Sequence, residues 1–472
     1  MKCIHLEKLY CGRNKLVDLQ GLKNCINLME LDISDNKNIK LTGLEKCDKL
    51  QILKCCSCNL TTLKGLENCV ILQDIVCSDN QFKTLEGLEN CVILRYINCS
   101  YNKLETLEGI QSCEKIRNIT IKGSNIKSLK ELGNCINLIR IDITTNYNMK
   151  TLEGLENCIK LEHIFMYEVA VNSLKGIENC INLRKIELHF TQITSLANIK
   201  YVYNLEELIM SNENITSFEG LENHKNIKAI KCYHNRFFSN QKSNTRLTSV
   251  KGLENCVNLD TLVIHYAINL KSLRDLRDCN NIKTIHITDC GLIDLEGIEN
   301  CYNLQDLHCS NNQLNTLKGL EKCVNLKIIW CNDNKLISLK GLENCIKLEE
   351  LYCGRTTIKT LEGLEKCVNL KIIWCSENQL DTLKGIENCG NLQDLRCDKN
   401  QLYTLEGIEN CCNLRDLHCG NNQLNTLKGL KNCINLKNIY CNYNQIKTLK
   451  EIEDCVILQE LYCGNNQLGT LK

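Results

Sequence analysis

The stretch LQDLHCSNNQLNTLKGLEKCVNL, residues 304–326, decides the fold. Leu304, Leu307, Cys309, Asn312, Leu314, Leu317, Gly319, Leu320 and Cys323 occupy fixed places, and Leu326 reopens the pattern 22 residues after Leu304. Generalised, the unit is L-x-x-L-x-C-x-x-N-x-L-x-x-L-x-G-L-x-x-C-x-x. Its closing cysteine carries the register along the chain. The series runs Cys3, Cys25, Cys47, Cys69, Cys91, Cys113, Cys135, Cys158 and Cys180, passes Val202 and His224, and resumes at Cys256. It continues through Cys279, Cys301, Cys323, Cys345, Cys367, Cys389, Cys411, Cys433 and Cys455, so about 21 units fill the 472 residues. A period of this length specifies a solenoid, in which each unit buries its apolar face only by stacking on its neighbours. Such a stack escapes the size limit of a single core, so 1–472 is expected to form one repeat domain.

Local chemistry agrees with the period. Alternate side chains of a strand face opposite ways. In residues 304–311, Leu307 and Cys309 therefore point to one side, while Asp306, His308 and Ser310 point to the other. The apolar set recurs in register and is the buried side. Asn312 and its equivalents Asn14, Asn36, Asn80, Asn102, Asn334, Asn378, Asn400, Asn422, Asn444 and Asn466 stand where the strand ends and the chain turns inward. A buried turn strands backbone N–H and C=O groups, and a side-chain amide offers both a donor and an acceptor. Gly319 suits a turn with positive φ.

The run L-x-x-L-x-C-x-x-N-x-L resembles the leucine-rich repeat, whose pattern allows Asn or Cys at its ninth position. The resemblance covers essentially the whole chain. Its 22-residue length looks like the subclass of bacterial internalins and of a regulator of a Ser/Thr phosphatase. With Cys at the sixth place, the composition also resembles repeat proteins of protists and the large DNA viruses that infect them. The family implies an α/β solenoid: an arc with a concave parallel β-sheet and short helical or 3-10 turns on the convex side.

Departures from the pattern concentrate in the middle. Ser124, Val169, Thr191, Glu213, Ala267 and Cys290 replace the Asn there, with Cys58 and Thr356 as scattered exceptions. Single extra residues fall near 146–149 and 267–270. RFFSNQKSNT, 236–245, is an insertion, expected as a surface loop over 236–246, in which Phe237 or Phe238 either replaces a missing core Leu or belongs to a partner-binding finger. Cys3 already lies inside a unit and the sequence stops in mid-unit at Leu471-Lys472. Frayed ends, end-to-end association and a longer parent gene all accommodate that.

A net charge of +1 gives no global field for nucleic acid or anionic membrane. No 18-residue apolar run is present, and MKCIHLEKLY lacks a signal-peptide core. The Lys and Glu residues of the Leu-Lys-Gly-Leu-Glu-Asn segments read as a solvated face. The 36 Cys residues invite a disulfide reading, but 19 form the closing ladder and 13 more fill the inward sixth position. Ile33, Ile121, Ile143, Met166, Leu188, Met210, Ile264 and Ile287 fill that position elsewhere, which marks it as core. Free buried thiols without a signal peptide point to a reducing, intracellular and cytoplasmic setting. Short Cys pairs at zinc spacing do not recur, and the dense Cys55-Cys56-Ser57-Cys58 reads as core, surface and Asn-site cysteines of one strand, so no metal or cofactor is expected.

Candidate chemistry reduces to one column. His308-Cys309 and His418-Cys419 cannot be catalytic dyads, because adjacent strand residues face opposite sides. Asp306 and His308 share a face, as an exposed ion pair. No enzyme is expected. The fifth position, outward at the strand centre, reads His286, His308, Trp330, Tyr352, Trp374, Arg396, His418, Tyr440 and Tyr462, and holds both Trp residues of the chain. Strands about 4.8 Å apart would line these into a ridge roughly 40 Å long. Aromatics favour strands in any case, yet Trp, Tyr and Arg are also the residues of interface hot spots. Flanking acids, among them Asp306, Glu350, Asp394, Asp416 and Glu460, suit a basic protein or peptide better than phosphate. The reading is a scaffold binding a protein on this face, anchored by Trp330, Tyr352, Trp374 and Tyr440. A regulatory subunit of a phosphatase or other enzyme, and a structural array without a ligand, are the alternatives.

Overall fold

The computed structural model describes residues 3–211, 213–234 and 246–470; the insertion at 236–245 lies outside them. Contacts divide the chain into two compact units, Met1–Ile227 and Lys228–Lys472. The first carries ten strands, from β1 (Lys8–Tyr10) to β10 (Glu207–Ser211). The second carries eleven, from β11 (Ala229–Tyr233) to β21 (Glu460–Tyr462). Within each unit every strand pairs in parallel with the next, and equivalent repeat positions sit opposite each other: Leu9 faces Leu31, and Leu307 faces Ile329. The return leg of each repeat is a succession of tight turns, tightening into 3-10 helix at Gln20–Leu22, Lys130–Leu132, Ala197–Ile199, Arg274–Leu276 and Lys450–Ile452. No α-helix occurs among the described residues. A 22-residue unit leaves no room for one after a strand and two reversals.

The core is the conserved spacing made solid. Leu304, Leu307, Cys309, Leu314, Leu317, Leu320 and Cys323 are all fully buried, as are most of their counterparts away from the two end repeats. The sixth-position cysteines pack as small apolar groups. Most closing cysteines do more, because the thiol reaches a carbonyl of the preceding repeat: Cys69 Sγ donates to Cys47 O at 3.7 Å and Cys301 Sγ to Cys279 O at 3.7 Å. Burial pushes thiols such as Cys309 and Cys323 up to about 12, so they stay protonated and unreactive as nucleophiles. The described cysteines are all free.

The Asn ladder works as its position implies. Asn334 Nδ2 donates to Cys309 O of the previous repeat (2.9 Å) and to Cys331 O of its own (3.0 Å), while its Oδ1 accepts Leu314 N–H (3.0 Å). Each Asn thus ties two repeats together in a buried place. Asn146 belongs to this ladder as well, donating to Ile121 O at 3.1 Å, and stands three residues after Ile143, as Asn312 stands after Cys309. The residue before the Asn is left-handed throughout, with φ +56° at Asn311 and +54° at Asp333, and Arg355, Glu377 and Lys399 accept the same strained geometry.

The Glu of Gly-Leu-Glu is not merely solvated. Glu321 Oε2 accepts the Gly319 N–H at 2.8 Å, and Glu343 does the same for Gly341 at 2.7 Å, so the carboxylate closes the turn. Solvated Lys–Glu pairs such as Lys384–Glu362 at 2.8 Å occupy the surface beside it. An exposed pair of this kind adds little stability.

Where Asn is replaced, Val169 and Ala267 offer no side-chain acceptor, but a polar substitute can still supply one. Glu213 does so, taking the Thr191 N–H on Oε1 at 2.9 Å and the Thr191 hydroxyl on Oε2. Burial raises its carboxyl to about 7. A carboxyl raised on folding keeps its proton in the folded chain while the unfolded chain loses it. Its stabilisation is therefore complete below about pH 4.5 and drains as pH climbs towards 7, a change of about 3 kcal/mol at most. The difference in unfolding free energy between wild type and Glu213→Gln is expected to vary over that window and to be flat outside it. Urea unfolding at a series of pH values checks this, and a pH-independent difference would mean that Glu213 does not titrate there.

Candidate functional site

The outward face of the second unit is built by parallel strands in strict register. The fifth-position residues belong to β13 (Thr284–Thr288), β14 (Asp306–His308), β15 (Ile328–Trp330), β16 (Glu350–Tyr352), β17 (Ile372–Trp374), β18 (Asp394–Arg396), β19 (Asp416–His418), β20 (Asn438–Tyr440) and β21. His286 faces His308, His308 faces Trp330, Trp330 faces Tyr352, and so on to Tyr440 and Tyr462. All nine predicted residues stand in one column.

They touch almost without a break. Ring centroids lie 3.9 Å apart for His286–His308, 4.9 Å for His308–Trp330, 4.4 Å for Trp330–Tyr352 and 4.9 Å for Tyr352–Trp374. The Arg396 guanidinium carbon sits 3.9 Å over the Trp374 ring. Beyond it, His418–Tyr440 and Tyr440–Tyr462 stack at 4.2 and 4.7 Å. Exposure within the column is uneven. Trp330 is 37% exposed and Tyr462 49%, whereas Tyr352 is only 7% exposed, wedged between two tryptophans. Stacking against larger neighbours removes Tyr352 from contact with a partner and makes it a support for Trp330 and Trp374.

The third-position acids hold the rings. Trp374 Nε1 donates to Asp394 Oδ2 at 3.0 Å, Tyr352 OH to Glu350 Oε2 at 2.8 Å and Tyr440 OH to Glu460 Oε2 at 2.7 Å. Arg396 Nε lies 3.4 Å from Asp394 Oδ2. Burial and the Glu350 hydrogen bond push the Tyr352 phenol up, and the Glu460 bond pushes Tyr440 up to about 12. These acids read from the sequence as a field for a basic partner, and in the structure their oxygens also brace the ridge. A shallow cleft of about 350 Å³ opens beside Trp374 and Arg396, where Gly354 leaves the surface without a side chain.

The inward and outward assignment excludes the Cys–His dyads. Cys309 and Cys419 are fully buried, while His308 and His418 lie on the outer face. The first unit's column, which includes Lys54, Val76, Thr120 and Phe165, forms no comparable ridge; its nearest ring contact is Phe165–His189 at 5.6 Å.

Comparison with known proteins follows the geometry. Residues 302–344 and 346–388 match the family model for leucine-rich repeats in two copies. No curated protein matches the chain. Among solved structures, a leucine-rich repeat protein of Leptospira interrogans is 19% identical with a TM-score of 0.61, over 90% of this chain and 98% of its own. YopM of Yersinia enterocolitica is 17% identical with a TM-score of 0.61, over 99% and 89%. The functional domain of InlJ from Listeria monocytogenes, described as including a cysteine ladder, is 19% identical with a TM-score of 0.57, over 75% of each chain. This chain has the leucine-rich repeat fold on a 22-residue, cysteine-rich unit, and its residues 302–344 and 346–388 match the leucine-rich repeat family. At these identities the solved structures share its fold.

Proposed function

We propose that this chain is a non-catalytic binding protein that takes a protein or peptide on the outward strand face between His286 and Tyr462. The observation that carries the reading is the stacked ridge itself. It is rigid, aromatic and accessible at Trp330 and Tyr462, and its partly exposed Trp374 borders a cleft. Rigid aromatic groups offer large contact area with little ordering entropy left to lose on binding. Repeat arrays generally bind through extended surfaces of this kind. The anchors are Trp330, Trp374, Tyr440 and Tyr462, with His308, Arg396 and His418 as polar contacts. The third- and fifth-position columns from β13 to β21 carry Asp306, Glu350, Asp394, Asp416 and Glu460 against Arg396, which favours a basic segment. No helix among the described residues is long and apolar enough to cross a membrane. The free, buried thiols fit a reducing intracellular compartment.

Affinity capture with the full chain, wild type against Trp330→Ala/Trp374→Ala, tests the reading. A partner retained by wild type should bind the double variant at least about thirtyfold more weakly, since two hot-spot side chains are removed. Equal binding by both, with circular dichroism unchanged, would rule out the ridge as the site. An enzyme in the captured fraction whose activity changes on binding would make the chain a regulatory subunit.

A further inference from the structure

Among the described residues, one set of three His, Cys, Asp or Glu side chains brings its ligand atoms within 4.8 Å of one another: His286, Asp306 and His308. The cluster lies at the upstream end of the ridge and is built by strand register. His286 and His308 are direct neighbours across β13 and β14, and Asp306 stands two residues before His308 on the same face. His286 Nε2 lies 3.0 Å from Asp306 Oδ2, and His308 Nε2 lies 3.1 Å from Oδ1. Both imidazoles therefore hold the same nitrogen beside one carboxylate. Burial alone would raise the Asp306 carboxyl, but its hydrogen bond with His286 and the close approach of His308 outweigh that and hold it well below the usual carboxylate range. All three side chains are about one-quarter exposed, so an ion and its remaining water ligands can reach them.

We propose that His286, Asp306 and His308 form a binding site for a divalent transition-metal ion of the zinc class, with the remaining coordination positions open to water or to a donor from a partner. Donor chemistry selects the ion. Two imidazoles and one carboxylate suit zinc, cobalt and nickel, whereas calcium and magnesium take oxygen ligands. Distance permits it. Ligand atoms about 2.0–2.1 Å from a tetrahedral centre are about 3.3 Å apart, and one ligand atom from each of the three residues already lies within 4.8 Å of the other two, so side-chain rotation alone can close the set. The nearly parallel rings, 6° apart, must turn about χ2 to converge their nitrogen lone pairs on one point. That torsion is soft in histidine. The ligands stand on paired strands, which position such groups better than loops. On binding, each Nε2 gives up its proton to Nδ1 or to solvent, and the carboxylate supplies one negative charge. The site does not depend on the ridge binding a protein.

Trp330 provides an internal reporter, since its ring stacks on His308 at 4.9 Å. Titration of the full chain with Zn2+ by calorimetry, in a non-thiol reductant, should show one site per chain. Co2+ should quench Trp330 fluorescence and give ligand-field absorption without a thiolate charge-transfer band. His286→Ala and His308→Ala should each weaken binding at least about tenfold, the loss seen when even an outer-shell partner is removed. His163→Ala, on a strand of the first unit and outside the cluster, should leave it unchanged. Absence of Zn2+ binding would overturn the proposal, as would a thiolate band or affinity that survives both histidine substitutions. Circular dichroism of the variants separates loss of the site from loss of the fold. Partner binding that fails at the ridge while Zn2+ binding persists would sink the proposed function and leave the metal site standing.

Discussion

Gly297→Ala is expected to destabilise the second unit by at least about 3 kcal/mol, combining a forbidden backbone conformation with a collision. Gly297 has φ +110°, and a Cβ there would stand 2.0 Å from Leu273 O and 2.5 Å from Leu273 C. Both are backbone atoms of the preceding repeat's turn, so no side chain can swing aside. Relief requires the two repeats to separate, which opens the Leu ladder. Gly21→Ala is the matched control: it lies in a 3-10 turn, carries no positive φ and meets nothing within 4 Å. It should be neutral or stabilise by up to about 1 kcal/mol through the unfolded chain. Urea unfolding followed by circular dichroism measures both variants. Equal effects would mean that the turns do not pack as tightly as their geometry requires.

Asn334→Ala should cost about 3–4 kcal/mol, because it strands several buried groups at once. The Cys331 carbonyl loses its amide donor, the Cys309 carbonyl keeps only that of Asn312 at 3.0 Å, and the Leu314 N–H loses its acceptor. The same amide braces the left-handed Asp333, whose strain must then be met by the backbone alone. Asn334→Thr should lie between wild type and Ala, as the natural Thr356 shows: its hydroxyl meets Cys353 O at 3.3 Å and Asn378 Oδ1 of the next repeat at 2.5 Å, without the bond that Asn334 makes to the preceding repeat's strand. Hydrogen exchange at the Leu314 amide gives a local readout alongside urea unfolding. The exposed Asn325, which donates to Tyr302 O at 2.8 Å, supplies the comparison. An Asn334→Ala effect no larger than that of Asn325→Ala would show that the buried bridge contributes nothing beyond a surface hydrogen bond.

The structural importance of Asn334 and Gly297 could be read from the 22-residue spacing, whereas the roles of the polar side chains around them could not. Glu321 closing its own turn on the Gly319 amide looks in the sequence like any surface acid. Asp394 and Glu460 look like rim charges until their oxygens are found on Trp374 and Tyr440. The metal cluster is the extreme case. A search for short Cys or His spacings passes over His286 and Asp306, which are 20 residues apart yet 3.0 Å apart in space.

Sequence by itself determined the strands, their register, the inward cysteines and the column of outward aromatics. A repeat stacks like positions on like, so one period specifies every lateral neighbour. Tertiary structure alone decided which outward side chains meet diagonally, which ring is covered by its neighbours, and where donors converge on one carboxylate. Strand spacing of about 4.8 Å and a two-residue rise of about 6.6 Å are comparable lengths, so a long polar side chain can reach several partners equally well. The outcome rests on rotamers and packing, which the period does not encode.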